Sequence, residues 1–253
     1  MNTIREPQLQ TASPVYGRNG RIGLIVPANN SVIEPEVWSV LPPGVAAYAA
    51  RVMAKGDLTV EAVKLMEEDV NAAVATIAAT GVDVIAYCDM VTTFIMEPGW
   101  NESAVERFEK STGTAALSAW TALRDALAVL DVKRFALGTP YPRSIHAWAP
   151  PFFAERGYVV QSNATLDIVA MREVPTVDES RLSAFVETLD TRNCDAVVLL
   201  ATDLPTFASL ARLEAKIGLP VLTSNQTLLW SALRTLKQRP VGNLGCLFQV
   251  GSI

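Results

Sequence analysis

An internal repeat constrains this chain more than any other feature. Arg21–Asn30 reads RIGLIVPANN and Arg134–Arg143 reads RFALGTPYPR, which sets Pro27 and Pro140 113 residues apart (140 − 27). Asp83–Met90, DVIAYCDM, is answered by Asp195–Leu204, DAVVLLATDL, and Cys88 and Ala201 are again 113 apart (201 − 88). The pentapeptides WTALR at Trp120–Arg124 and WSALR at Trp230–Arg234 close the series at an offset of 110 (230 − 120). Three matches in one order at nearly one offset indicate a duplicated unit. Two halves related by a pseudo-two-fold bring equivalent strand ends face to face, and in open parallel sheets ligands bind beyond those carboxyl ends. The one chemical mismatch, a thiol at Cys88 against a methyl at Ala201, is therefore expected at the centre of an active site.

The order of elements supports this. Short apolar runs at Arg21–Val26, Val82–Tyr87, Arg134–Gly138 and Ala196–Leu200 read as buried parallel strands, with further strands at Val45–Met53, Tyr158–Gln161 and Val221–Thr223. Helical spacing marks Leu58–Thr80, Glu102–Ser111, Ser118–Leu130, Ile145–Arg156, Glu179–Leu189 and Thr227–Leu236, and a helix ends at Arg212–Ile217. Ser31 and Glu34 have the spacing of a capping box, so a helix should begin there too. Alternating strands and helices give an α/β protein of two parallel-sheet, flavodoxin-like halves with the active site between them. The expected division is a tail at 1–20, a first half at 21–117 plus 225–253, and a second half at 118–224.

Composition removes several classes. Half of the 253 residues are hydrophobic, enough for a substantial core, and the net charge of −5 gives no footprint for nucleic acid. No apolar run has the length of a membrane span, and no apolar stretch near the N-terminus suggests a secretion signal. Three cysteines, Cys88, Cys194 and Cys246, show no paired spacing, which points to a reducing cytoplasm rather than a disulfide framework. A single histidine, His146, and no CxxC make a metal site unexpected. His146 lies in PRSIHAWAPPF with no GxSxG elbow in the chain, so it reads as a surface or helix-packing residue. No glycine-rich phosphate loop follows a strand, so no nucleotide cofactor is expected.

Chemistry concentrates at the strand ends. Cys88 closes one strand and precedes Asp89-Met90-Val91-Thr92-Thr93. Free amides of a following helix would lower its thiol pKa and could bind a carboxylate; the plainer reading is a small core residue. Asn29 and Asn30, with Thr139 and Tyr141 opposite, could hold a carboxylate or enolate oxygen, or serve only as turn residues. Thr223, Ser224 and Asn225 repeat the theme as a helix cap, an anion site, or both. Cys194 and Cys246 read as structural.

IGLIVPANN, DVIAYCDM, KRFALGTPYPR, DAVVLLATDLP and IGLPVLTSNQTLLWSALR together resemble the aspartate/glutamate racemase superfamily, in particular its maleate cis-trans isomerase and arylmalonate decarboxylase group. The likeness runs from Arg21 to Leu247. It implies two facing cysteines that act without metal or cofactor. Cys88 matches the first and Ala201 the second, so either the chain uses one thiol or Ala201 is an engineered replacement. It further implies Asn30 and Tyr141 as substrate ligands, joined by strand-end groups of Asp89, Met90, Thr202 and Ser224. Met171 falls near a polar family ligand, which implies a substrate end less charged than maleate. The expected activity is cis-trans isomerisation of a small carboxylic acid through a Cys88 adduct. The alternatives are a one-cysteine decarboxylase, lyase or hydrolase, and a non-catalytic small-acid binding protein. A cytoplasmic homo-oligomer is expected, with no nucleic acid or membrane as partner.

Overall fold

The computed structural model describes residues 14–54 and 57–250; most of the expected N-terminal tail lies outside this range. The chain runs through β1 (Gly20–Pro27), α1 (Ile33–Val40), β2 (Val45–Val52), α2 (Val60–Glu67), α3 (Val70–Ala78), β3 (Val84–Tyr87), α4 (Thr92–Ile95), α5 (Trp100–Thr112), β4 (Ala115–Ser118) and α6 (Ala119–Val129). It continues as β5 (Arg134–Thr139), α7 (Arg143–His146), α8 (Ala149–Ala154), β6 (Val159–Thr165), α9 (Glu179–Glu187), β7 (Ala196–Leu199), α10 (Phe207–Ile217), β8 (Val221–Thr223) and α11 (Ser224–Thr235).

The strands form two four-stranded parallel sheets, ordered β2-β1-β3-β4 and β6-β5-β7-β8. The two orders are the same topology, as a duplication requires. A polar detail repeats with it. The Asp83 carboxylate accepts the Arg21 amide at 2.8 Å at the entrance to β1, and the Asp195 carboxylate accepts the Arg134 amide at 2.8 Å at the entrance to β5. The central strands β3 and β7 are buried throughout, which is why VIAY and AVVL are unbroken apolar runs.

Helix boundaries follow local chemistry. The expected long helix at Leu58–Thr80 is two helices, α2 and α3, broken at Glu68-Asp69, and Thr59 caps the first by accepting the Ala62 amide at 3.1 Å. The stretch at Ile145–Arg156 is likewise two short helices, because Pro150 and Pro151 start a fresh helix rather than continue one. Helix α1 forms, but Ser31 does not cap it. The Asn30 side-chain Oδ1 does, accepting the Val32 and Ile33 amides at 2.9 and 3.2 Å. Ser118 ends the unexpected strand β4 and caps α6, while Thr223 ends β8 and caps α11, each in a capping box. The chain then crosses over: α11, after the last strand of the second sheet, packs on α6, α1, β3 and β4.

Candidate active site

Strand ends from both sheets line one pocket. It is walled by Pro27, Asn29 and Asn30 after β1, Asp89–Val91 after β3, Tyr141 after β5, and Thr202 and Asp203 after β7. Asp57, Leu58 and residues of α2 cover it, with Met171 at one side. Thr202 ties the two sheets together. Its hydroxyl donates to the Cys88 carbonyl at 2.8 Å and accepts from the Asn30 amide nitrogen at 3.1 Å. Behind Thr202, Asn225 donates to the Thr202 carbonyl at 3.0 Å and to the Glu36 carboxyl at 2.7 Å. The other Glu36 oxygen accepts the Thr206 and Phe207 amides, at the start of α10. A carboxyl of the first half thus caps a helix of the second. Burial raises its pKa against those three hydrogen bonds.

Cys88 is fully buried beside this pocket, its thiol donating to the Ala86 carbonyl at 3.3 Å. The expected lowering of its pKa does not occur. Burial, and next the Asp89 charge, push the thiol up. The helix invoked to lower it is a single turn, α4, and its leading amides at Val91 and Thr92 already bond the Asp89 carboxylate, Thr92 at 2.8 Å. Cys88 therefore rests as a neutral thiol and needs a base before it can attack.

Two carboxyls stand near neutrality here. Burial raises Asp89 to about 6. Burial, then the charge of Asp89, raises Asp203 to about 7, and the only bond opposing this is to its own backbone amide. The Tyr141 phenol is also pushed up, by burial and by both aspartates, so it stays a donor. Its hydroxyl has no partner among the described residues. The backbone amides of Asp89 and Met90 are likewise free among the described residues.

Other expected groups fall elsewhere. Ala201 is buried with φ +147°, a conformation rare for any residue but glycine, and its amide donates to the Ser224 hydroxyl at 3.1 Å. Ser224 supports Ala201 from behind and does not line the pocket. His146 is buried between Thr139 and Asn163, 2.9 Å from each, in a packing role. Cys194 lies near the Asp190 carbonyl, and Cys246 contacts Glu214, which with burial takes its thiol to about 12; neither joins the pocket.

The family model for arylmalonate decarboxylase matches residues 22–246. The chain belongs to that family. Maleate isomerase of Geobacillus stearothermophilus is 30% identical over 241 residues, 90% of this chain and 96% of the relative. Arylmalonate decarboxylase of Bordetella bronchiseptica is 24% identical over 218 residues, 84% and 89% of the two chains. The solved structure of Nocardia farcinica maleate cis-trans isomerase with a covalently bound succinylcysteine intermediate superposes with a TM-score of 0.84 at 26% identity, covering 90% of this chain and 98% of that one.

Against this family background, sequence reasoning missed Asp203 and Glu36, and read Asn225 only as part of a helix cap or anion site. Asp203 was visible as the only charged residue in the run LLATDLP, two positions past the mismatch. Glu36 carries no such signal, since an acid in the first turn of a helix is ordinary dipole chemistry.

Proposed function

We propose that the protein is a metal- and cofactor-independent isomerase that turns a small cis-unsaturated acid into its trans form through a covalent adduct on Cys88. The observation that carries this reading is a lone cysteine at a strand end beside a pocket lined by both sheets, in a chain similar to an isomerase whose cysteine-to-serine mutant was solved with a covalently bound succinylcysteine. The pocket sits between the first half, 21–117 with 225–253, and the second, 118–224. In it the free amides of Asp89 and Met90 and the Tyr141 hydroxyl bind the substrate carboxylate, and Asn30 and Thr202 hold the two strand ends in register. Ser224 fixes the backbone of Ala201.

The chemistry needs one thiol. Asp89, whose charge acts on the thiol, takes the Cys88 proton. The sulfur then forms a bond to the alkene carbon β to the carboxylate, and the π pair moves onto that carboxylate as an enediolate stabilised by the amides. The former double bond is now single and rotates. Collapse of the enediolate restores the double bond in the trans form and expels the thiolate, which recovers its proton from Asp89. No proton is exchanged at carbon, so the methyl of Ala201 does not block the cycle. A decarboxylase that protonates its enediolate from the second position would find no acid there. The free thiols suit a cytoplasmic enzyme.

Proton NMR of maleate and of cis-4-aminobut-2-enoate with the purified protein tests this. Trans product should appear, and Cys88→Ser should slow it on the order of 10³-fold or more. Full activity in Cys88→Ser, or no isomerisation of either acid, would remove the proposal.

A further inference from the structure

We propose that the acid this pocket takes carries a protonated nitrogen at the end away from its carboxylate, and that Asp203 receives that nitrogen. This deepens the isomerase reading and rests on it for the shape of the substrate, though not for the charge.

The argument is electrostatic and geometric. Three charged side chains line the pocket, Asp57, Asp89 and Asp203, and among the described residues no lysine, arginine or histidine joins them. The Asp89 carboxylate accepts the α4 amides and is the base assigned to Cys88. Asp203 is not committed. It is 6% exposed, faces the pocket, and among the described residues bonds none but itself. A buried carboxyl without a partner is costly unless something else supplies the donor. The rest of the wall agrees: Met171 is apolar, and Asn29 leaves its Oδ1 without a partner. A second substrate carboxylate placed here would face a like charge out of water, where repulsion is strong. An ammonium would meet an acceptor built for it. Arg172 lines an outer cleft with Asp57 and Met171 and not the pocket itself, and Arg51, which donates to the Ala28 and Asn30 carbonyls, does not line the pocket either.

Charge on Asp203 should govern selectivity. It titrates near neutrality, facing Asp89 and Cys88 from the end of β3, Asp57 from the loop before α2, and Tyr141 from the end of β5. A cationic ligand favours the ionised carboxyl, so its affinity should rise as pH rises through about 7. Maleate should show the opposite trend.

Calorimetry on the full chain provides the test, with cis-4-aminobut-2-enoate, maleate and cis-crotonate as probes at pH 6 and pH 8. The aminobutenoate should bind at least about ten-fold more tightly than maleate at pH 8, the margin should shrink at pH 6, and Asp203→Asn should remove it while leaving cis-crotonate unchanged. Tighter binding of maleate, or a preference that is independent of pH and untouched in Asp203→Asn, overturns the assignment. Loss of maleate binding in Arg172→Ala would overturn it too, by placing the second carboxylate on that arginine. If Asp203→Asn does not fold, the pH dependence of the wild-type margin decides. Preferential binding of the aminobutenoate without isomerisation would sink the isomerase reading alone. Isomerisation of maleate with no preference for the cation would sink this one alone.

Discussion

The ends of β3 and β7 are the same place in a duplicated unit, yet they are equipped differently. At the first, Cys88 supplies a thiol on a backbone that needs no positive φ, and Asp89 spends its carboxylate on the short helix that follows. At the second, Ala201 supplies a methyl on a backbone at φ +147°, and Asp203 keeps its carboxyl free toward the pocket. The helix beyond it, α10, is capped by Glu36 from the other half. Duplication preserved the scaffold, including strand order and the aspartates at the strand entrances, and left the reactive groups free to diverge. On the readings proposed above, the first end holds the nucleophile and the second recognises the far end of the substrate.

The comparison breaks most visibly if the second end can be made like the first. Ala201→Cys should place a thiol across the pocket and open protonation at carbon, raising turnover on the order of 10²-fold, within the usual span of a general acid. It should also introduce solvent deuterium at the α-carbon, readable by NMR. An unchanged rate and no deuterium would mean that the two ends do not address the same substrate atoms.

A smaller effect separates the two aspartates. Asp89 at about 6 and Asp203 at about 7 stand above the 3.8 of an ordinary aspartate, and Glu67, buried against the Tyr87 hydroxyl, stands at about 8. The folded state therefore holds more protons than the unfolded chain between about pH 4 and pH 8, and stability should fall as pH rises through that window. Asp203→Asn should flatten the part of the slope below about pH 7, while a substrate-like cation should restore stability at pH 8. Urea midpoints at pH 5 and pH 8 would measure both. A wild-type protein more stable at pH 8 contradicts the burial of these acids.

The smallest test concerns the backbone. Strain at a non-glycine positive φ costs about 1–3 kcal/mol, and glycine's extra chain entropy returns about 0.5–1 of it. Ala201→Gly should then stabilise the protein by about 1 kcal/mol, seen as a higher urea midpoint with unchanged slope. A loss of stability would show that packing of the buried methyl outweighs the strain.

Much of this was legible in the sequence, for a physical reason. Repeated motifs and unbroken apolar strands are local signals, so both sheets and the Cys88–Ala201 mismatch could be read directly. Asn30 was expected as a ligand and is also the cap of α1, because one amide can do either job and sequence does not show which. The thiol of Cys88 was misread because its pKa depends on burial and on a neighbouring charge, and adjacent residues report neither. Asp203 gained its character from the same two causes. Glu36 bonds groups 170 positions away along the chain, and a single sequence holds no trace of such a pairing.

Helix α11 has a consequence in time. It is made after every strand, yet the surfaces it covers belong to α6, α1, β3 and β4, made long before. On the ribosome the earlier half must wait with an apolar flank open until the last helix clears the exit tunnel, even though its own sheet is complete. Until α11 emerges, that open flank is the kind of exposed apolar surface a chaperone holds.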